Sequence, residues 1–418
     1  MFLAMTMQKP AAASKPVTKF TPPANRPALN NFKTPANARA RVGSDKNISV
    51  EKLNEMMAKV VRPRLTASNT YTWDANINGI IVRYTGTSFH QYDFWKDNWH
   101  PAPNNGSVLP HAFIYSVQGV PNQEPFAYYC PARNTAIFLN TEYYGQCKSW
   151  ALGMAAAALE RDFHTHSIHG AAAALEGRGI AIIAPTGTGK TTQVNKILQH
   201  PTGYVLGDDW IYITHPDPKD VLAGHQFQLL ISQPEKQLYV RTENAKEEQW
   251  LRPVFDRCKN ENVCTKREEC EHQPGETCGF DEGDDRCYWG FGNARAMLPR
   301  EWMKGPQKVI DSVPLKLLVL LRRDKTSPAE VWLTPDEAIK TLQKGEYMVR
   351  PGAGPKEKWG TMAEESWYNP YLLVPDHAKQ EEFFRREMQV AKCIILNTGV
   401  ESIQQTFDRI KNAVASID

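Results

Sequence analysis

No uninterrupted apolar run in this chain approaches the ~20 residues a bilayer-spanning helix needs, so no membrane partner is expected. No internal repeat is evident. The first 44 residues contain no acidic side chain, and the opening MFLAMTM is too short and interrupted for a secretory signal. The eight cysteines form no Cys-x-x-Cys knuckle, the usual mark of a structural zinc site. What is present describes a folded chain. Its 418 residues are 41% apolar and 10% aromatic, with 11 Trp, enough for one large core or two smaller ones. The 49 basic and 46 acidic residues give a formal charge of +3, a near-neutral total that argues against nucleic acid as a partner.

That total joins two unlike parts. Seven basic residues and six prolines precede Asp45, and the chain after residue 44 holds 42 basic against 46 acidic residues, a charge of −4. Residues 1–48, rich in Ala, Pro, Asn and Thr without a periodic apolar face, are expected to be a disordered basic leader. Its prolines interrupt the amphipathic helix of a transit sequence. A cytoplasmic location is therefore expected, with organellar targeting by the leader as the alternative.

Residues 49–142 read as a mostly β N-terminal portion, opened by a helix over 49–62 that Pro63 ends. Strands are expected at 79–84, 111–117, 125–130 and 135–139, separated by Asn, Gly and Pro clusters. An Ala-rich helix at 145–163 opens the core, 143–350, with strands at 179–184, 204–207, 210–214, 227–232 and 316–322. The last portion, 351–418, is expected to be helical, packed on the core. Five cysteines (Cys258, Cys264, Cys270, Cys278, Cys287) crowd an excursion at 256–288. They read as reduced surface thiols, a local disulfide pair, or zinc ligands with or without His272.

The strongest local signal is PTGTGKTT at 185–192, between an apolar strand and a plausible helix. Gly187 and Gly189 let the backbone turn closely around a phosphate, and amides at the helix start donate to its oxygens. Thr186, Thr188 and Thr192 complete the loop, Lys190 neutralises β/γ-phosphate charge, and Thr191 offers a hydroxyl to magnesium. Eighteen residues beyond Lys190, Asp208 and Asp209 end a strand, a place from which carboxylates hold a divalent ion or orient an attacking hydroxyl.

TEYYGQCKSW, the helix after it, HSIHGAAAALEGRGIAIIAPTGTGKTTQ, YVLGDDW and FGNARAMLPREWM occur in order over about 160 residues. Together they resemble the catalytic core of ATP-dependent phosphoenolpyruvate carboxykinases. The His–Gly, loop and Asp–Asp layout is similar to that of the kinase/phosphorylase acting on the HPr carrier protein. The resemblance implies an α/β fold, a carboxykinase-like P-loop core with mixed β-sheets preceded by the smaller mostly β portion. It implies His169 and Asp209 as metal ligands with Thr191, for magnesium or manganese. It further implies Asp208 as the base that organises water or a substrate hydroxyl, with Lys190 and Lys148 at the phosphates, Arg295 at phosphate or a substrate carboxylate, and Tyr143 facing substrate. Two departures stand out: the family's pair of adjacent lysines is Lys148 followed by Ser149, and Thr186 replaces a serine. His164 and His166 have no counterpart and read as surface or helix-end residues; Arg83 and Arg133 are further candidates for a substrate anion.

The expected activity is ATP-dependent transfer of the γ-phosphoryl group to a hydroxyl of a small-molecule or protein acceptor. The alternatives are oxaloacetate decarboxylation and phosphorylation, as in a true carboxykinase, and a nucleotide-regulated binding protein. Neither the acceptor nor the oligomeric state is legible in the sequence.

Overall fold

The computed structural model describes residues 40–103, 109–185, 187–216, 228–241, 295–300, 306–349 and 356–417, with backbone only at 238–241, 295–299 and 306. Residues 1–39, Thr186 and the excursion at 256–288, with its zinc expectation, lie outside the described residues. Two mixed β-sheets make the chain α/β.

The first sheet, seven-stranded among the described residues, runs Gly43–Asp45, Phe126–Cys130, Thr135–Leu139, Ala112–Val117, Ile80–Gly86, Tyr71–Ile77, His100–Pro101. Its Tyr71–Ile77 strand was not expected from the sequence, although it ends in a strong hairpin signal. Asn78 (φ 51°) and Gly79 (φ 91°) take the left-handed conformations that a two-residue turn between twisted strands requires. The second sheet branches. Gly203–Gly207, Ala171–Leu175 and Arg178–Ile183 lead to the long strand Ser312–Arg322. The start of that strand pairs with Leu230–Ser232, which continues through Ile211–Thr214 to Thr165–Ile168, while its second half pairs in parallel with Lys392–Asn397.

Helix Tyr144–Asp162 lies between the sheets and is buried on almost every face. Alanines at 155, 156 and 158 allow that close approach, and they share one core with Trp95, Trp99 and Ile114 of the first sheet's layer and Trp210 and Tyr212 of the second. Gly153 is required there: a Cβ would come within 2.9 Å of the Tyr371 carbonyl oxygen, where the chain crosses the helix.

Four expectations need correction. The end of the leader is ordered: Gly43–Asp45 forms a parallel edge strand on Phe126–Tyr128. The first helix does not stop before Pro63 but widens into a π-helical stretch at Met57–Val61 and then tightens into the 3-10 turn Arg62–Arg64, because proline is tolerated at the start of a new turn. The C-terminal portion is not merely helical, since KCIILN at Lys392–Asn397 is an interior strand, buried on both faces as parallel strands are. Finally, His166 is fully buried; only His164, at φ 48° just past the helix end, fits the earlier reading.

His166 sits in a polar network under the second sheet. Its Nδ1 is 2.7 Å from Glu387 Oε1 and its Nε2 is 3.0 Å from Gln380 Oε1, so both ring nitrogens face acceptors and the imidazolium satisfies both. His215 Nε2 reaches the same Glu387 oxygen at 3.2 Å, and Gln380 passes the chain to Glu160 at 2.8 Å. Burial alone would lower the His166 pKa, but Glu387 and Glu160 outweigh it and the net shift is upward. A group whose folded pKa is raised stabilises fully below its ordinary value, 6.5 here, and loses that contribution as pH rises through the folded value. Urea melts should therefore show unfolding free energy falling above pH ~6.5, by about 1.4 kcal/mol per unit of upward shift, and His166→Gln should flatten that slope.

Candidate functional site

The site forms where four strand ends meet. Arg178–Ile183, Gly203–Gly207, Ser312–Arg322 and Lys392–Asn397 run in one direction, so their carboxyl ends share one edge of the sheet. Ligands of α/β sheets gather at such edges.

Pro185 follows the first of these strands, and residues 187–189 turn into helix Lys190–Gln199. Gly187 (φ 80°) and Gly189 (φ 104°) occupy the left-handed region, which bars a side chain without strain. Gly189 is the N-cap residue, and no side chain caps the helix. Its first-turn amides are therefore placed to receive an anion, with the positive end of the helix dipole behind them. The turn is braced from outside: Thr398 Oγ1 donates to the Thr188 carbonyl at 2.7 Å, and Thr188 Oγ1 donates to Pro185 O at 2.7 Å. Thr191 and Thr192 stand half-buried in the first helical turn.

Beside the loop, two chain segments step between the halves of the second sheet. Residues 168–172 and 207–211 run antiparallel, registered by Ile168↔Ile211 and Ala172↔Gly207 and joined by Gly170 N–H to Asp209 O at 3.1 Å. Gly170 passes so close to the neighbouring strand that a Cβ would lie 2.9 Å from Ile182 O. The crossing puts His169 and the Asp208–Asp209 pair face to face, with His169 Nε2 3.3 Å from Asp209 Oδ1.

The other Asp209 oxygen, Oδ2, receives the Lys148 ammonium at 2.9 Å; Glu235 Oε1 receives the same ammonium at 3.0 Å. Lys148 is 4% exposed, a cation that burial alone would neutralise, but Glu235 and Asp209 hold its pKa above the ordinary lysine value. Glu235 is buried as deeply and is fixed in turn by Asn98 Nδ2 at 2.9 Å, while Tyr144 OH donates to Asn98 Oδ1 at 2.7 Å. Ser149, which follows Lys148, turns its hydroxyl back to the Gly145 carbonyl and does not stand in for a second amine.

The remaining charges fall into order around this pair. Burial would raise Asp209, yet Lys148 and His169 hold it well below the carboxylate range. Asp208 makes no ion pair within 4 Å among the described residues: burial, then Asp209 and Glu235, push it up to about 6, against the weaker pull of Lys148 and Lys190. Two neighbouring carboxylates driven in opposite directions can divide the work of holding charge and handling a proton. Burial and the nearby Lys190 lower His169, favouring the neutral imidazole that ligates metals. Lys190 is itself lowered by burial, which Asp209 and Asp208 partly offset.

Among the described residues, no group of three or more His, Cys, Asp or Glu side chains is placed to hold a metal alone. His169 and Asp209 could still supply two ligands to a magnesium or manganese ion completed by water or a bound anion; Thr191 stands in the first turn of helix Lys190–Gln199. Of the sequence candidates, the structure brings Lys148, His169, Lys190, Asp208 and Asp209 together. Arg295 begins a strand paired with Gln237–Arg241, and its side chain lies outside the described residues. Arg83 is spent on Asp74, both contacts at 2.7 Å, and Arg133 lies exposed at a turn. Cys130, Cys147 and Cys393 are buried free thiols.

Sequence reasoning missed Glu235, Asn98, Tyr371 and Arg41. The Tyr371 ring stands edge-on to His169 at 4.8 Å, with the Arg41 guanidinium 5.7 Å from its centre. Arg41 is held there by its neighbour: Val42 exchanges hydrogen bonds of 2.9 and 3.2 Å with the Gln146 side chain. An arginine in a basic leader carries no local sign of this role. Neither does a glutamate between two short strands.

Comparison of the chain with protein families and with curated proteins finds no match.

The ion triad makes a stability prediction. Lys148→Met should cost about 3–5 kcal/mol in urea unfolding, because Glu235 is left a buried, uncompensated carboxylate. Adding Glu235→Gln should recover part of that loss.

Proposed function

We propose that this chain is an ATP-dependent phosphotransferase acting on a hydroxyl group. One observation carries the reading: an uncapped, glycine-turned helix start bearing Lys190 faces a His169–Asp209 pair and a second carboxylate of raised proton affinity, Asp208. A carboxykinase-like P-loop core is the arrangement this proposal assumes.

The loop amides and Lys190 bind the β- and γ-phosphates, replacing water by fixed dipoles. His169 and Asp209, with Thr191, would hold the divalent ion, which when bound neutralises phosphate charge. Asp208 orients the acceptor hydroxyl and takes its proton as the hydroxyl oxygen bonds to the γ-phosphorus and the bond to the ADP oxygen breaks. Lys148 fixes the Asp209 carboxylate through one oxygen, leaving the other toward His169. Tyr371, packed edge-on against His169, and Arg41 over its ring stand on the side from which the acceptor would approach in this reading. Arg41 also favours a second reading, oxaloacetate decarboxylation with phosphorylation, because its guanidinium offers a carboxylate partner near His169. Carbon dioxide released from oxaloacetate only with ATP present would select that reading over transfer to a stable hydroxyl.

Transfer of label from [γ-³²P]ATP to a panel of hydroxylated metabolites and proteins tests the main proposal. Lys190→Ala should abolish labelling with the fold intact by circular dichroism. Asp208→Asn should keep nucleotide affinity within about threefold and lower transfer by at least about 10²-fold, the scale of general-base loss. Normal turnover by Asp208→Asn would remove it as the base.

A further inference from the structure

A cavity of about 390 Å³ opens at the same sheet edge as the phosphate loop, at the carboxyl ends of Ser312–Arg322 and Lys392–Asn397. Helix Pro335–Lys344 and strand Glu346–Met348 form its wall, and Trp367 and Ile395 supply apolar lining. Its charged lining is mostly basic, in a chain whose body is net acidic.

The acidic groups around it are already engaged. Glu346 is paired with Lys344 at 2.6 Å. Asp324 Oδ1 accepts from the Ser327 and Thr326 amides at 2.6 and 2.9 Å, closing its own turn. Asp336 and Glu337, the acids nearest Lys340 along its helix, are taken by Arg385 and by the helix cap at Thr334. The basic groups Arg322, Arg323 and Lys340 make no ion pair within 4 Å among the described residues. Arg322 spends one N–H on Ser327 Oγ at 3.1 Å, and Arg323 only approaches the Gly187 carbonyl, at 3.5 Å. Three cations of different reach therefore border one recess with donors left over. A phosphate group, with several acceptor oxygens and about two negative charges, complements that set better than a neutral ligand does.

We propose that this cavity is a second anion site, for a phosphate-bearing small molecule, and that its occupancy is felt by the phosphate loop. Arg323 carries the coupling: an anion in the cavity competes with Gly187 O for its guanidinium. The Thr398 hydroxyl, bonded to Thr188 O at 2.7 Å and near Arg322 O at 3.3 Å, ties the two rims together. Because coupling is reciprocal, nucleotide on the loop changes anion affinity by the same factor. The anion site stands on its own geometry; only the coupling rests on the nucleotide reading.

The test uses the full chain, ³²P-labelled inorganic phosphate in equilibrium dialysis, and the non-hydrolysable nucleotide AMP-PNP. With the loop saturated by AMP-PNP, wild-type protein should still bind one phosphate. Arg322→Gln/Lys340→Gln should weaken that binding at least tenfold, and AMP-PNP affinity without phosphate should stay within twofold. Phosphate should shift AMP-PNP affinity at least threefold in the wild type and leave the double variant unmoved. Lys340→Gln alone, at an exposed position, should give a partial loss and guards against misfolding of the Arg322 variant. Equal phosphate binding by wild type and both variants, or none once AMP-PNP fills the loop, overturns the anion site. A phosphate site without any effect on AMP-PNP affinity overturns the coupling. If AMP-PNP does not bind at all, the nucleotide reading and the coupling fall, and dialysis of wild type against the double variant still decides the anion site.

Discussion

A buried ammonium fixes the geometry on which the candidate site depends. Lys148 rises from the central helix into a region where an unpaired cation would not remain charged, so it must keep both Asp209 and Glu235 within reach. Each carboxylate comes from a different part of the fold. Asp209 belongs to the crossing between half-sheets; Glu235 follows strand Leu230–Ser232 and is pinned by Asn98 at the end of a first-sheet helix. One side chain thus binds three regions together. Its removal would disturb the position of Asp209 as well as the local charge.

The paired segments 168–172 and 207–211 add a second constraint. Their antiparallel contact sets His169 opposite Asp209 by backbone register, so rotamer choice has only to refine the distance. Asp208, next in sequence, then sits in a different electrostatic setting from its neighbour. It lacks the ammonium contact that holds Asp209 low, and the divergence of two adjacent carboxylates follows.

Much of this was legible from residues alone where the signal was local. The apolar strand before PTGTGKTT, the Ala-rich helix and the His–Gly and Asp–Asp strings all carry their own pattern. Most of the expected strands and helices form within a residue or two of where composition put them. What escaped depends on contacts distant in sequence. Glu235 acquires its role from Asn98, 137 residues away, and Arg41 from Tyr371 at the far end of the chain. His166 looked polar and peripheral, yet Glu387 and Gln380, more than 200 residues later, supply the partners that let it be buried. Lys392–Asn397 lacked helical period and was overshadowed by the helices on either side.

The short strand Gly43–Asp45 changes how the chain divides. By composition the boundary falls at residue 44, where basic leader gives way to acidic body. Physically, Arg41 already stands over Tyr371, Val42 is tied to the central helix, and the strand edges the first sheet. A cut placed where the charge changes sign would therefore remove the Arg41 contact to Tyr371, the ring that packs on His169. Compositional and architectural boundaries are different objects here: among the described residues, the end of the leader is built into the layer that borders His169.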